Sequence, residues 1–129
     1  MISQSALDGY RQLEELVMAA HQATSALPRD ADPRLVERLR RLPCAATDSL
    51  LGGCASHTSS RRQQLWRQSL ALLEQVGEVV DQTADAGWLP VPHALALLEI
   101  QTTAVVRVLS MLEQPELSRN EADPDRRAA

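Results

Sequence analysis

Leu95, Leu97, Leu98, Ile100, Ala104, Val105, Val106, Val108, Leu109, Met111 and Leu112 crowd one segment of the chain, from about Pro92 to Glu113. At 100° per residue these side chains cover roughly 240° of a helix. Only Glu99, Thr103, Arg107 and Ser110 mark a polar strip. A helix at the corner of a monomeric bundle needs an apolar stripe of a little over about 100°. The excess predicts that a second copy of the chain covers what the other helices leave open.

Three earlier segments share the helical period. In the first, from Ser5 to Leu27, Leu7, Tyr10, Leu13, Leu16, Val17, Ala20, Ala23 and Leu27 recur at steps of three and four, one stripe of a helix. Ser3 or Ser5 is a candidate cap. The run L-P-R-D-A-D-P then reads as a loop. The second segment opens with Asp32 as N-cap and Pro33 at the first helical position. Its stripe is Leu35, Val36, Leu39, Leu42, Ala46, Leu50 and Gly53, and Pro43 inside it predicts a kink or a break into two helices. The third, from about Ser60 to Ala86, carries Leu65, Trp66, Leu70, Leu72, Leu73, Val76, Val79 and Val80, with Gly87 as its C-terminal stop and Pro90 and Pro92 beyond. No strand-like alternation of any length appears. The reading is all-α: an antiparallel up-and-down four-helix bundle over residues 1–114, with a polar, disordered tail over 115–129.

Composition narrows the function. The 129 residues suffice for one core. Aromatics are only Tyr10, Trp66 and Trp88, which suits helix-on-helix packing better than a sheet. A net charge of −4 argues against a nucleic-acid binder as a whole. Cys44 and Cys54, ten residues apart on one helix, lie too far apart for a disulfide and are expected as small core residues. No secretory signal and no uninterrupted apolar run of about 18 residues are seen, so a cytoplasmic protein without a membrane partner is expected.

The Leu35–Gly53 stretch and the turn at Ala84–Leu89 together resemble one family. Its members are the small four-helix-bundle proteins encoded by intervening sequences in bacterial 23S ribosomal RNA genes. They are related to the accessory proteins of diversity-generating retroelements. The matching positions are Leu35, Arg40-Arg41, Ala45-Ala46 with Ser49, and Gly53, then Ala84, Gly87, Trp88 and Leu89. As a pattern of helical segments, the resemblance covers roughly Leu35 to Leu112. The chain departs from it at Ser49-Leu50-Leu51-Gly52-Gly53, where the family shows Asn-Ile-x-Glu-Gly. The resemblance implies a ring-forming homo-oligomer, commonly a pentamer. In the retroelement proteins it also implies a basic surface that engages nucleic acid and the reverse transcriptase.

Candidate sites are few. Arg29, Arg34, Arg38, Arg40, Arg41, Arg61, Arg62 and Arg67 fall in one third of the chain, against Asp30, Asp32, Glu37 and Asp48. Of these, Arg38, Arg40, Arg41, Arg61, Arg62 and Arg67 are the candidates for phosphate contact, the alternative to scaffolding. The simpler reading is a solvated face with ion pairs such as Glu37 with Arg41. Only Trp66 could serve as a stacking platform. His21, His57 and His93 lack metal-site spacing, and no fourth ligand joins Cys44, Cys54 and His57. Glu74, Glu78, Asp81 and Asp85 read as the solvated side of the third segment, or as a stripe facing arginines of a neighbouring subunit. Phosphate loops, dinucleotide fingerprints and nucleophile elbows are absent. The expectation is therefore a non-enzymatic binding or scaffolding protein with no cofactor and no metal. Candidates for the oligomer interface are Trp66, Trp88, Leu97, Ile100, Val108 and Met111.

Overall fold

The computed structural model describes residues 3–114 as four α-helices: α1 (Gln4–Ser25), α2 (Pro33–Cys54), α3 (Ser59–Asp85) and α4 (Val91–Leu112). The tail expected over 115–129 lies outside the described residues. Each helix packs on the one before it, and α4 returns to α1, so the four form a closed square. The side α1–α2 therefore lies opposite the side α3–α4.

Local chemistry sets the helix ends. The Ser3, Asp32 and Thr58 side chains accept from the backbone N–H groups of Ala6, Arg34 and Arg61, giving α1, α2 and α3 side-chain caps. At the end of α3, Gly87 takes a φ of +83°, a conformation that glycine adopts without steric cost. There the Gly87 N–H bonds to the Ala84 carbonyl and the Trp88 N–H reaches back to Thr83. This pair closes the last turn and aims the chain into α4.

The core is aliphatic, with Leu13, Leu16, Leu39, Leu42, Leu50, Leu73, Val76, Val80 and Val108 fully buried. Three α3 side chains also latch onto α2. The Arg62 Nε donates to the Gly53 carbonyl at 3.2 Å, the Trp66 Nε1 to Leu50 at 3.2 Å, and the Ser69 hydroxyl to Ala46 at 2.8 Å. A Cβ on Gly53 would fall 2.5 Å from the Trp66 ring, so only glycine lets the helices approach this closely. On the next side, the Gln101 amide donates to the Leu73 carbonyl at 2.9 Å beside Gly77.

Pro43 does not break α2, which runs unbroken over 22 residues. The proline withholds one i→i−4 bond. Its own carbonyl accepts the Thr47 hydroxyl at 2.9 Å, and the latches to α3 hold the helix beyond it. Among the described residues α4 is also the one helix long and apolar enough to cross a membrane by length and composition. No uninterrupted apolar run predicts this, because Glu99 and Arg107 punctuate a segment that is apolar on average.

Candidate interaction surface

α4 turns Ala94, Leu97, Gln101, Ala104, Val108 and Met111 into the bundle. Four of its large apolar side chains remain in solvent: Val91 at 64% exposure, Leu95 at 61%, Val106 at 55% and Leu109 at 38%. At 100° per residue these four, with half-buried Leu98 and Val105, fall within an arc of about 100°. The arc can be placed by its neighbours. Ile100 and His93 border α1, across a groove shared with Ala19 and Ala23. Gln101 borders α3. Passing round the helix from Ile100 through buried Leu97 to Gln101, the next arc is the exposed apolar one. It therefore flanks α3 on the outside of the bundle.

Glu74, Glu78, Asp81 and Asp85 are exposed on α3. The same angular reasoning starts from Ser69, which faces α2, and passes Gly77, which faces α4. The acids come next, on the outer wall beside α4. The α3–α4 side thus pairs an acidic ridge with an apolar strip.

The interface candidates divide on burial. Trp66, Leu97, Val108 and Met111 are buried by their own chain, so another subunit cannot be what covers them. Trp88 and Ile100 are half-buried. Choosing residues from the middle of an apolar segment picks the side facing the core; the outward ones are Val91, Leu95, Val106 and Leu109. The helical period reveals the excess, and the packing directions reveal which residues make it up.

The arginine cluster does not stay together. α2 and α3 are antiparallel, so Arg40 and Arg41 lie near one end of the bundle and Arg61 and Arg62 near the other, about 20 Å apart along the axis. Arg62 is buried: its guanidinium donates to the carbonyls of Gly53 and Ser56 and closes the C-terminal end of α2. Its place in a phosphate-contacting patch is thereby corrected, because the side chain is turned inward. Arg41 pairs with Glu37 at 3.0 Å, the expected i,i+4 ion pair, with both groups well exposed. Arg40 donates to the Thr24 hydroxyl at 2.7 Å and to the Ser25 hydroxyl at 3.4 Å, and Arg61 to Gln64. Arg67 is exposed and Arg38 half-exposed. Arg29, Arg40 and Arg41 share an open groove with Glu37 where α1 meets α2.

Cys44 is exposed, where a core position was expected, and Cys54 is half-buried; neither is in a disulfide. Cys44 stands on the α1–α2 side, in a groove of about 330 Å³ with Val17, Met18, His21 and Arg40. The groove continues past Glu14, Thr47 and Asp48. Tyr10 has its phenol pushed above its ordinary value of 10.0, first by its hydrogen bond to Glu14, then by burial and by that carboxylate's charge. His21, His57 and His93 are exposed and dispersed, and among the described residues no three metal-ligating side chains gather. No family model and no curated protein matches the chain.

Proposed function

We propose that this protein works by assembly: a non-enzymatic, cytoplasmic four-helix bundle that forms a homo-oligomer and serves a binding or scaffolding role. The carrying observation is the uncovered strip of Val91, Leu95, Val106 and Leu109 on a helix whose opposite side already fills the core. An apolar face of this length, rimmed by charge, marks a contact surface. Five subunits is the number implied by the resemblance to the intervening-sequence proteins. Light scattering after size exclusion tests both points. A mass of several chains at micromolar concentration is expected, and a single-chain mass would overturn the reading. Nucleic-acid binding is the weaker alternative, because the arginines it would use are split between two ends and one of them is buried. A gel shift at low salt that is lost on changing Arg40 and Arg41 to Glu would restore it.

A further inference from the structure

The seam between α1 and α4 is closed at one end and open at the other. At the closed end a Cβ on Gly9 would fall 2.8 Å from the Met111 sulfur, and the Gln114 amide donates to the Ser5 hydroxyl at 2.7 Å. At the other end, where α1 finishes and α4 begins, the helices leave a cleft of about 350 Å³. Small side chains account for it. Ala19, Ala23 and Ala26 line the cleft from α1 and Ala96 from α4, and methyl groups leave unfilled the space that larger side chains would occupy. Leu27, Leu97 and Ile100 extend the apolar lining.

The polar groups of the cleft are few and of one kind. Gln22 reaches it from α1 and His93 from α4, and among the described residues neither side chain has a hydrogen-bond partner. Pro90, which also lines the cleft, is the N-cap of α4 and gives no side-chain cap, whereas α1, α2 and α3 each have one. Pro92 has no N–H, and the N–H groups of Val91 and His93 find no acceptor among the described residues. Donors therefore gather at the end of the cleft where the dipole of α4 is positive. No carboxylate among the described residues lines it.

We propose that this cleft binds a small amphipathic acid: a free monocarboxylate with a hydrocarbon chain of medium length. The chain lies against Ala23, Leu97 and Ile100. The carboxylate accepts from Gln22, from His93 and from the first turn of α4. The volume is that of a small-molecule site, apolar walls with a few convergent polar groups. Charge complementarity selects the head group, because a cation would meet only donors and a second polar group along the chain would be left unpaired against the alanines. The proposal is independent of the assembly reading, since the exposed α4 strip flanks α3 and the cleft lies beside α1.

Calorimetric titration of the full chain with sodium octanoate, sodium hexanoate and octanol tests this. Octanoate is expected to give a saturable isotherm at millimolar concentration. Hexanoate is expected to bind about 15-fold more weakly, at about fourfold per methylene lost. Octanol is expected to bind about fivefold more weakly than octanoate, for want of the charge. Two exposed positions locate the ligand, and circular dichroism checks that the helices survive. Ala96→Leu fills the cleft and is expected to weaken octanoate and octanol alike, by about tenfold. His93→Glu puts a carboxylate where the head group sits, in a helical first turn that favours an acid. It is expected to weaken octanoate about tenfold and leave octanol unchanged. Leu95→Asp, on the α4 strip, is expected to change neither. Absence of octanoate binding, or binding that Leu95→Asp removes and Ala96→Leu does not, would overturn the site. Octanol binding as tightly as octanoate, or octanoate binding unaffected by His93→Glu, would overturn the carboxylate assignment. Light scattering on the same samples reports assembly separately, so a single-chain mass would overturn the assembly reading and leave this one standing.

Discussion

The α2–α3 seam and the α3–α4 outer face share one helix and treat it in opposite ways. Along the seam, Arg62, Trp66 and Ser69 of α3 each donate to a carbonyl of α2, and Gly53 removes a Cβ that would meet the Trp66 ring. The outer face has no comparable closure: its acids are solvated, and α4 beside it leaves Val91 and Leu95 open. The seam is a finished contact that determines the fold. The outer face has the composition of a contact without the partner. A stretch of helix surface that carries specific hydrogen bonds contributes to the stability of one chain, while one that carries only exposed apolar area contributes once something covers it.

If this contrast holds, damage to the seam lowers the stability of the single chain, and damage to the outer face does not. The largest effect is expected for Trp66→Ala. It removes a buried indole and its bond to Leu50, and urea unfolding at fixed protein concentration is expected to lose about 3–5 kcal/mol. Gly53→Ala comes next, at about 1–3 kcal/mol, because the new Cβ meets the Trp66 ring. Combined with Trp66→Leu it is expected to cost less than the sum of the two single changes, since the indole it clashes with is gone. Gly87→Ala meets nothing within 4 Å, so its expected loss of about 1–2 kcal/mol comes from the positive φ alone. On the outer face, Leu95→Ser is expected to leave the stability of the isolated bundle within about 0.5 kcal/mol while weakening assembly. A loss as large as the Gly53 effect, measured below the assembly concentration, would break the comparison.

The smallest expected effect lies on the α1–α2 side. The phenol of Tyr10, the one tyrosine, is held in its neutral form by Glu14, so its folded pKa lies above the ordinary 10.0. The stability linked to that shift is fully present below the unfolded pKa and is lost as pH rises through the folded one. Ultraviolet titration is expected to show a tyrosinate midpoint above that of a free tyrosine, moving down in Glu14→Ala.

Much of this architecture is legible from spacing. Four apolar stripes, the Asp32-Pro33 start and the Gly87 stop place the helices to within a residue or two, because caps and periodicity act locally. The arginine cluster shows where local reading stops. Arg61 and Arg62 are neighbours in sequence, yet one is solvated and the other is buried against the end of α2. Closeness along the chain also joined Arg40 to Arg61, which antiparallel packing then set at opposite ends. Pro43 carries the same lesson: its local penalty is real, and α2 nevertheless runs on past it, held to α3 by contacts such as the Ser69–Ala46 bond between residues 23 apart.

By itself the sequence determined the number of helices, their ends, and the fact that the last one is apolar on more sides than a corner position requires. Those properties depend on each residue's own chemistry and on neighbours within one or two turns. Only the tertiary structure decided which side of α4 is left uncovered and that acids line it. These follow from the rotation and register of helices on one another, which are set by contacts such as Gly53 against Trp66 and Gln101 against Leu73, between residues far apart in the chain.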